Sequence, residues 1–99
     1  MNIQIHSVRF DADKKLIQFI NNKMTKLSKL GNGIINAEVY LKLDNDNGVG
    51  NKIAEIKVEC SGEPLFARKQ SNSFEESVSL AIDAIKKQIA RHKDKLKGM

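Results

Sequence analysis

Ile34-Ile35-Asn36-Ala37-Glu38-Val39-Tyr40-Leu41-Lys42-Leu43, residues 34–43, changes the period of the apolar residues to two. Ile35, Ala37, Val39, Leu41 and Leu43 fall on one face and Asn36, Glu38, Tyr40 and Lys42 on the other, the pattern of a half-buried strand. The tract Asp44-Asn45-Asp46-Asn47-Gly48-Val49-Gly50-Asn51 reads as a turn. Beyond it Ala54, Ile56, Val58 and Cys60 alternate with Glu55, Lys57 and Glu59. The two segments therefore form a hairpin.

Working outward, Ser61-Gly62-Glu63-Pro64 supplies another turn, and residues 65 to 70 make a weaker fourth strand whose polarity suits a sheet edge. Upstream, residues 2 to 10 read as a first strand. Ile3 and Ile5 alternate with Asn2, Gln4 and His6 before Val8 and Phe10 resume one register later, as a bulge near Ser7 produces. Asp13 is placed to cap a helix in which Leu16, Ile20, Met24 and Leu27 recur at helical spacing, with Ile17, Phe19 and Leu30 widening the stripe and Gly31 and Gly33 ending it. Ser73 and Glu76 match a capping box that opens a second helix. Its apolar residues Phe74, Val78, Ala81, Ile82, Ile85, Ile89 and Leu96 occupy an arc of roughly 100°.

The predicted order is β-α-β-β-β-α, an α+β fold in which two helices cover one face of a four-stranded mixed sheet. The strand, helix and return strand make the first two strands parallel, and the tight turns make the later pairs antiparallel. At 99 residues the chain fits a single domain, residues 1–99, that buries roughly 60 to 65 per cent of its unfolded surface. The start Met1-Asn2-Ile3-Gln4-Ile5-His6 lacks the basic and apolar regions of a signal peptide, no apolar run has membrane-spanning length, and a lone Cys60 forms no internal disulfide. A cytoplasmic location is expected.

The formal net charge of +5 is unevenly placed. Residues 1 to 85 hold 11 basic and 11 acidic side chains, whereas residues 86 to 99 hold Lys86, Lys87, Arg91, Lys93, Lys95 and Lys97 against Asp94 alone. A neutral body with one positive end focuses its field on polyanions. On a helical projection, Lys86, Lys93 and Lys97 form one ridge beside the apolar arc and Lys87, Arg91 and Lys95 form another. An ordinary solvated helix end is the plainer account, since cations near a C-terminus also complement the helix dipole. A solvated helix usually mixes its signs, however, which favours phosphate contact here. A membrane surface is disfavoured by the absence of an apolar cluster beside the lysines.

Lys15, Lys26 and Lys29 lie at one side of the first helix's apolar stripe, and Lys23 falls at its very edge. Lys23 either packs its methylenes with its ammonium in water or joins the second helix in gripping phosphate. Few aromatic residues are present, which favours recognition of shape and backbone over base stacking. No catalytic constellation, nucleotide loop or metal site is expected. Asp44, Asp46 and Glu55 fail as a calcium loop, because Gly48 stands at a ligand position and strands flank the turn. Cys60, His6 and His92 are isolated in three different elements, Cys60 and His92 in apolar phase.

The run Leu80-Ala81-Ile82-Asp83-Ala84-Ile85-Lys86-Lys87-Gln88-Ile89-Ala90-Arg91-His92-Lys93-Asp94-Lys95-Leu96 resembles the terminal helix of the ribosome hibernation promoting factors, relatives of the ribosome-associated inhibitor and sigma-54 modulation proteins. Met1-Asn2-Ile3-Gln4-Ile5, Ile20-Asn21-Asn22-Lys23-Met24-Thr25-Lys26-Leu27 and Ile34-Ile35-Asn36-Ala37-Glu38-Val39 extend the resemblance over nearly the whole chain. It implies a non-enzymatic, cofactor-free translation inhibitor that sits on the small ribosomal subunit, over the sites of messenger and transfer RNA. The resemblance also implies rRNA contacts by Lys23, Lys26, Lys86, Lys87, Arg91, Lys93 and Lys95. Arg68-Lys69 departs from the acidic fourth strand of many relatives. The end at Met99 resembles the short class, expected to be monomeric off the ribosome. A general double-stranded RNA-binding module and a basic protein-interaction subunit are the alternatives.

Overall fold

The computed structural model describes residues 2–30, 34–44, 50–60 and 62–97, with side chains throughout these except at 30, 35 and 92–97. Gly31 and Gly33, the middle of the Asp44–Asn51 tract, and the side chains of His92, Leu96 and Lys97 thus lie outside the described residues. The elements run β1 (Asn2–Ser7), α1 (Lys14–Leu30), β2 (Ile34–Leu43), β3 (Lys52–Cys60), β4 (Glu63–Ser71) and α2 (Phe74–Lys97). One sheet holds the strands in the order β1-β2-β3-β4. β1 pairs parallel with β2, Ile3 beside Ala37 and Ile5 beside Val39, while β3 runs antiparallel to both β2 and β4. This is the architecture expected from the alternation and turns.

The two-residue period of β2 and β3 sends Ala37, Val39, Leu41, Ala54, Ile56, Val58 and Cys60 to one face, where Ile20, Met24 and Leu27 of α1 and Val78, Ala81, Ile82, Ile85 and Ile89 of α2 cover them. Both helices therefore share one layer. Two expected core members lie outside this packing or at its margin. Leu43 is 44% exposed, because β2 runs past the helical cover, and Ile17 is 36% exposed on a flank of α1. The expected Ile35 side chain lies outside the described residues, and Ile34 is partly buried against the core beside an irregularity of the β2–β3 register between Ile34 and Asn36.

The first strand also ends sooner than its apolar residues suggest. No bulge occurs near Ser7: β1 stops there, Val8 donates its N–H to the Leu41 carbonyl at 2.9 Å, and the chain turns through Arg9 at φ 66°. That left-handed residue changes the side-chain phase. Phe10 thereby stacks on Phe74 at 5.0 Å between ring centroids and joins the starts of the two helices.

Asp13 caps α1 as expected, its Oδ1 accepting from Leu16 N–H at 2.8 Å. At α2 only half of the expected box forms. Ser73 Oγ accepts from Glu76 N–H at 3.1 Å, but Ser73 N–H points to Ser71 Oγ at 3.4 Å, so a serine takes the place of the returning glutamate. Ser71 Oγ lies 2.7 Å from Ser77 Oγ, which in turn donates to the Lys52 carbonyl at 2.7 Å. Ser77 is fully buried, and these contacts tie the start of α2 to β3 and β4.

An edge strand exposes one row of unpaired backbone groups. On β4, Gln88 of α2 answers part of that row, its Oε1 accepting from Phe66 N–H at 3.3 Å and its Nε2 donating to Phe66 C=O at 2.7 Å. A side-chain amide thus supplies the donor and acceptor that a neighbouring strand would. Ser77→Ala leaves the Lys52 carbonyl without its buried donor, and the expected cost is about 1–3 kcal/mol. In a thermal melt this lowers the midpoint by at least about 4 °C, and an unchanged midpoint refutes a role for the serine cluster in holding α2.

Candidate nucleic-acid interface

Helical phase and observed contacts together place the basic side chains. Gln88 marks the side of α2 that meets the β4 edge. At 100° per residue, Arg91 lies about 60° from it, on the flank above that edge, and Lys87 about 100° from it, on the outward face nearly opposite the buried stripe. Lys86 lies about 160° round the helix from Gln88 and within about 20° of Glu75. Glu75 lines a cavity together with Phe10, Lys15, Leu16, Phe19 and Phe74. The flank carrying Glu75 and Lys86 therefore faces α1.

On α1, the side facing that cavity carries Lys15 and Phe19, and Lys23 and Lys26 follow it in phase. Lys23, Lys26 and Lys86 consequently border one groove between the helices, while Arg91 stands on the opposite flank of α2 and Lys87 on its outward face. The side chains of Lys93 and Lys95 lie outside the described residues. Both helices begin at the Phe10–Phe74 stack, so the 24-residue α2 runs beyond the 17-residue α1 by roughly 10 to 15 Å. The positive end is a projecting rod rather than the floor of a pocket.

Lys26, Lys86, Lys87 and Arg91 are exposed and Lys23 is half-buried. Lys23 holds its ammonium over the Phe19 ring, 5.6 Å from the centroid, so its stem packs and its charge remains at the groove. Among the described residues the ion pairs join Glu55 to Lys42 at 3.0 Å and to Arg68 at 3.3 Å, on the sheet face away from the helices. Neither pair involves Lys23, Lys26, Lys86, Lys87 or Arg91. Arg68 shares the single carboxylate of Glu55 with Lys42.

The uncovered sheet face holds aromatic residues that the composition made easy to overlook. His6 and Tyr40 stack at 4.8 Å, Lys57 sits 5.6 Å from the Tyr40 centroid, and Phe66 is 47% exposed. Tyr40 and His6 occupy polar phases of their strands and Phe66 alternates against buried Leu65 and Ala67, so strand parity was the available signal. Three acidic and three basic side chains share this face, Glu38, Glu55 and Glu59 with Lys42, Lys57 and Arg68, and it carries no net charge. Cys60 lies in the core, and among the described residues no group of three or more His, Cys, Asp or Glu side chains is arranged to hold a metal. No described helix is long and apolar enough to cross a membrane.

A two-layer α+β domain with a basic helix end is the class of protein that these features define. The chain belongs to the family described as Sigma 54 modulation protein / S30EA ribosomal protein, whose model matches residues 3–97. That family comprises ribosome-associated factors rather than enzymes and gives the chain a ribosome-related role. A ribosomal subunit interface protein from Coxiella burnetii has the same fold, with a TM-score of 0.84 and 19% identity over 95% of this chain and 99% of that one. The N-terminal domain of Thermus thermophilus Protein Y superposes with a TM-score of 0.77 and 22% identity, over 93% of this chain and 99% of that chain. At these identities the likeness is one of fold. None of the curated proteins compared with the chain matches it.

Tyr40 reports on the uncovered face. Its hydroxyl donates to Glu38, and this bond chiefly, with desolvation and the charges of Glu38 and Glu55, raises its pKa above the ordinary value. The neutral phenol is favoured by folding, so the associated stabilisation is fully present below the ordinary value of about 10 and is lost as pH rises through the raised one. With one Tyr and no Trp in the chain, tyrosinate absorbance isolates this titration. Its midpoint is expected above that of the denatured chain and is expected to fall in Glu38→Gln; coincident midpoints for folded and denatured chains refute the Glu38 contact.

Proposed function

We propose that this chain is a ribosome hibernation factor that binds rRNA of the small subunit near the messenger and transfer RNA sites and inhibits translation in idle cells. The family match over residues 3–97 carries the proposal. Residues 1–99 act as a single ribosome-binding domain in the cytoplasm, without cofactor or small-molecule substrate. Lys23, Lys26, Lys86, Lys87, Arg91, Lys93 and Lys95 form the contact set, the first three from the inter-helical groove, Lys87 from the outward face of α2 and Arg91 from its outer flank. Cations on both sides of a projecting helix suit insertion into an RNA-lined cleft, where phosphates approach from more than one direction. Occupation of such a cleft excludes messenger and transfer RNA without any chemical step.

Phosphate contact makes the affinity steeply salt dependent. If about five cations neutralise phosphates, log affinity for small subunits falls with log salt at a slope of roughly −3.5 to −4.5. Co-sedimentation across a salt series measures that slope, and no binding at low salt sinks the proposal. The double change Lys87→Glu, Arg91→Glu is expected to abolish co-sedimentation while leaving the melting midpoint nearly unchanged, because both side chains are exposed and unpaired among the described residues. Equal affinity for any duplex RNA favours a general double-stranded RNA-binding module instead, and a nuclease-insensitive pull-down of an acidic protein favours a protein-interaction subunit.

A further inference from the structure

The two edges of the sheet are treated differently. β4 carries Pro64, Arg68 and Lys69, and Gln88 occupies the backbone groups of Phe66. β1, Asn-Ile-Gln-Ile-His-Ser, carries neither proline nor Asp, Glu, Lys or Arg. Val8 donates to Leu41 of β2, so the even-numbered residues of β1 direct their N–H and C=O groups at β2 and those of Ile3, Ile5 and Ser7 point outward. Among the described residues nothing meets that outward row.

The side chains beside this edge are apolar as well. Ile3 and Ile5 are half-buried against the core. Ile17 is 36% exposed on the flank of α1 opposite the one that faces α2, which is the flank above the open edge. A strand edge without charge, a pair of isoleucines half covered and a third exposed above them lack the devices that normally keep such edges apart.

We infer that the open edge of β1 is a pairing surface for a second copy of this chain, joined antiparallel about a two-fold axis at Gln4. The backbone parity selects this register. Ile3 opposite Ile5 of the second copy forms a hydrogen-bonded pair, its symmetry mate forms another, and Gln4 faces its own copy as the non-hydrogen-bonded pair between them. Asn2 then stands opposite His6. Apolar side chains stay on the helix-covered face of both copies, so the sheet continues to eight strands with one helical layer, and the two Ile17 flanks approach across the axis. Shifting the pairing by one residue sets Ile3 against His6 and mismatches the faces.

Charge does not oppose the arrangement. The basic helix packs on β3 and β4, so in the pair the two positive ends lie on opposite rims of the sheet, roughly 25–35 Å apart at about 4.8 Å per strand. That is about three Debye lengths at physiological salt. Pairing one short strand buries less than the roughly 1,200 Å² of a stable specific interface, so the complex is weak, with a Kd on the order of 0.1–1 mM. At micromolar concentration the chain is therefore expected as a monomer.

Sedimentation equilibrium and concentration-dependent amide shifts, followed to about 1 mM protein in 0.15 M salt, test the pairing. The wild-type chain is expected to associate with shifts centred on Ile3, Gln4 and Ile5. Gln4 is exposed on the uncovered face, so its replacement spares the core. Gln4→Lys and Gln4→Glu each place like charges about 5 Å apart across the axis and are expected to weaken association at least tenfold. A general charge effect would instead strengthen association in Gln4→Glu, because it lowers the net positive charge. An equimolar mixture of the two variants is expected to associate at least as well as wild type, through opposite charges at the axis. No association by wild type, association indifferent to either replacement, or no recovery in the mixture each overturns the inference.

Discussion

The packing of α2 on β3 and β4 is the constraint on which the rest of the molecule depends. Val78, Ala81, Ile82, Ile85 and Ile89 bury one stripe of the helix against Ile56, Val58, Leu65 and Ala67, and this fixes the rotation of the helix about its own axis. Every other property of α2 follows from that rotation. Gln88 is turned to the β4 edge, Lys86 to the groove with α1, and Lys87 and Arg91 to the outside. Close packing permits little drift in the angle, because rolling the helix by one position would drive a charged side chain into a cavity shaped for isoleucine.

The start of α2 is held by polar contacts of comparable importance. Ser71, Ser73 and Ser77 link the helix N-terminus to the end of β4 and, through the Lys52 carbonyl, to β3. Ser77 donates its one proton to the Lys52 carbonyl, and Ser71 directs its own proton either to Ser77 Oγ or to the Ser73 carbonyl, so the cluster is held by alternating hydrogen bonds. The Phe10–Phe74 stack adds an apolar clamp between the two helix starts. With its N-terminal end fixed this way, the longer helix projects its charged end beyond α1.

The charge distribution is the complement of this mechanical arrangement. The uncovered sheet face balances its charges internally, with Glu55 shared by Lys42 and Arg68. The helix cations have no such partners among the described residues, so the field of the molecule is concentrated at one end. A ribosome-related family role and a helix end rich in lysine and arginine are physically compatible, because concentrated positive charge attracts polyanions.

Local pattern determined much of this protein. The period-two alternation of residues 34 to 60 defined the hairpin, Asp13 and Ser73 marked the helix starts, and the surplus of lysine and arginine after Ile85 located the charged end. These features are legible because each depends on residues close in sequence. Tertiary structure decided what depends on distant neighbours. It set the left-handed turn at Arg9, substituted Ser71 for the second arm of the capping box, left Leu43 and Ile17 exposed, and placed Phe66, Tyr40 and His6 on the uncovered face. It also separated the cations, Lys23, Lys26 and Lys86 to the inter-helical groove and Lys87 and Arg91 away from it. A helical projection gives the angles between side chains on one helix, but which flank meets a neighbour is decided only when both helices and the sheet edge close around a common core.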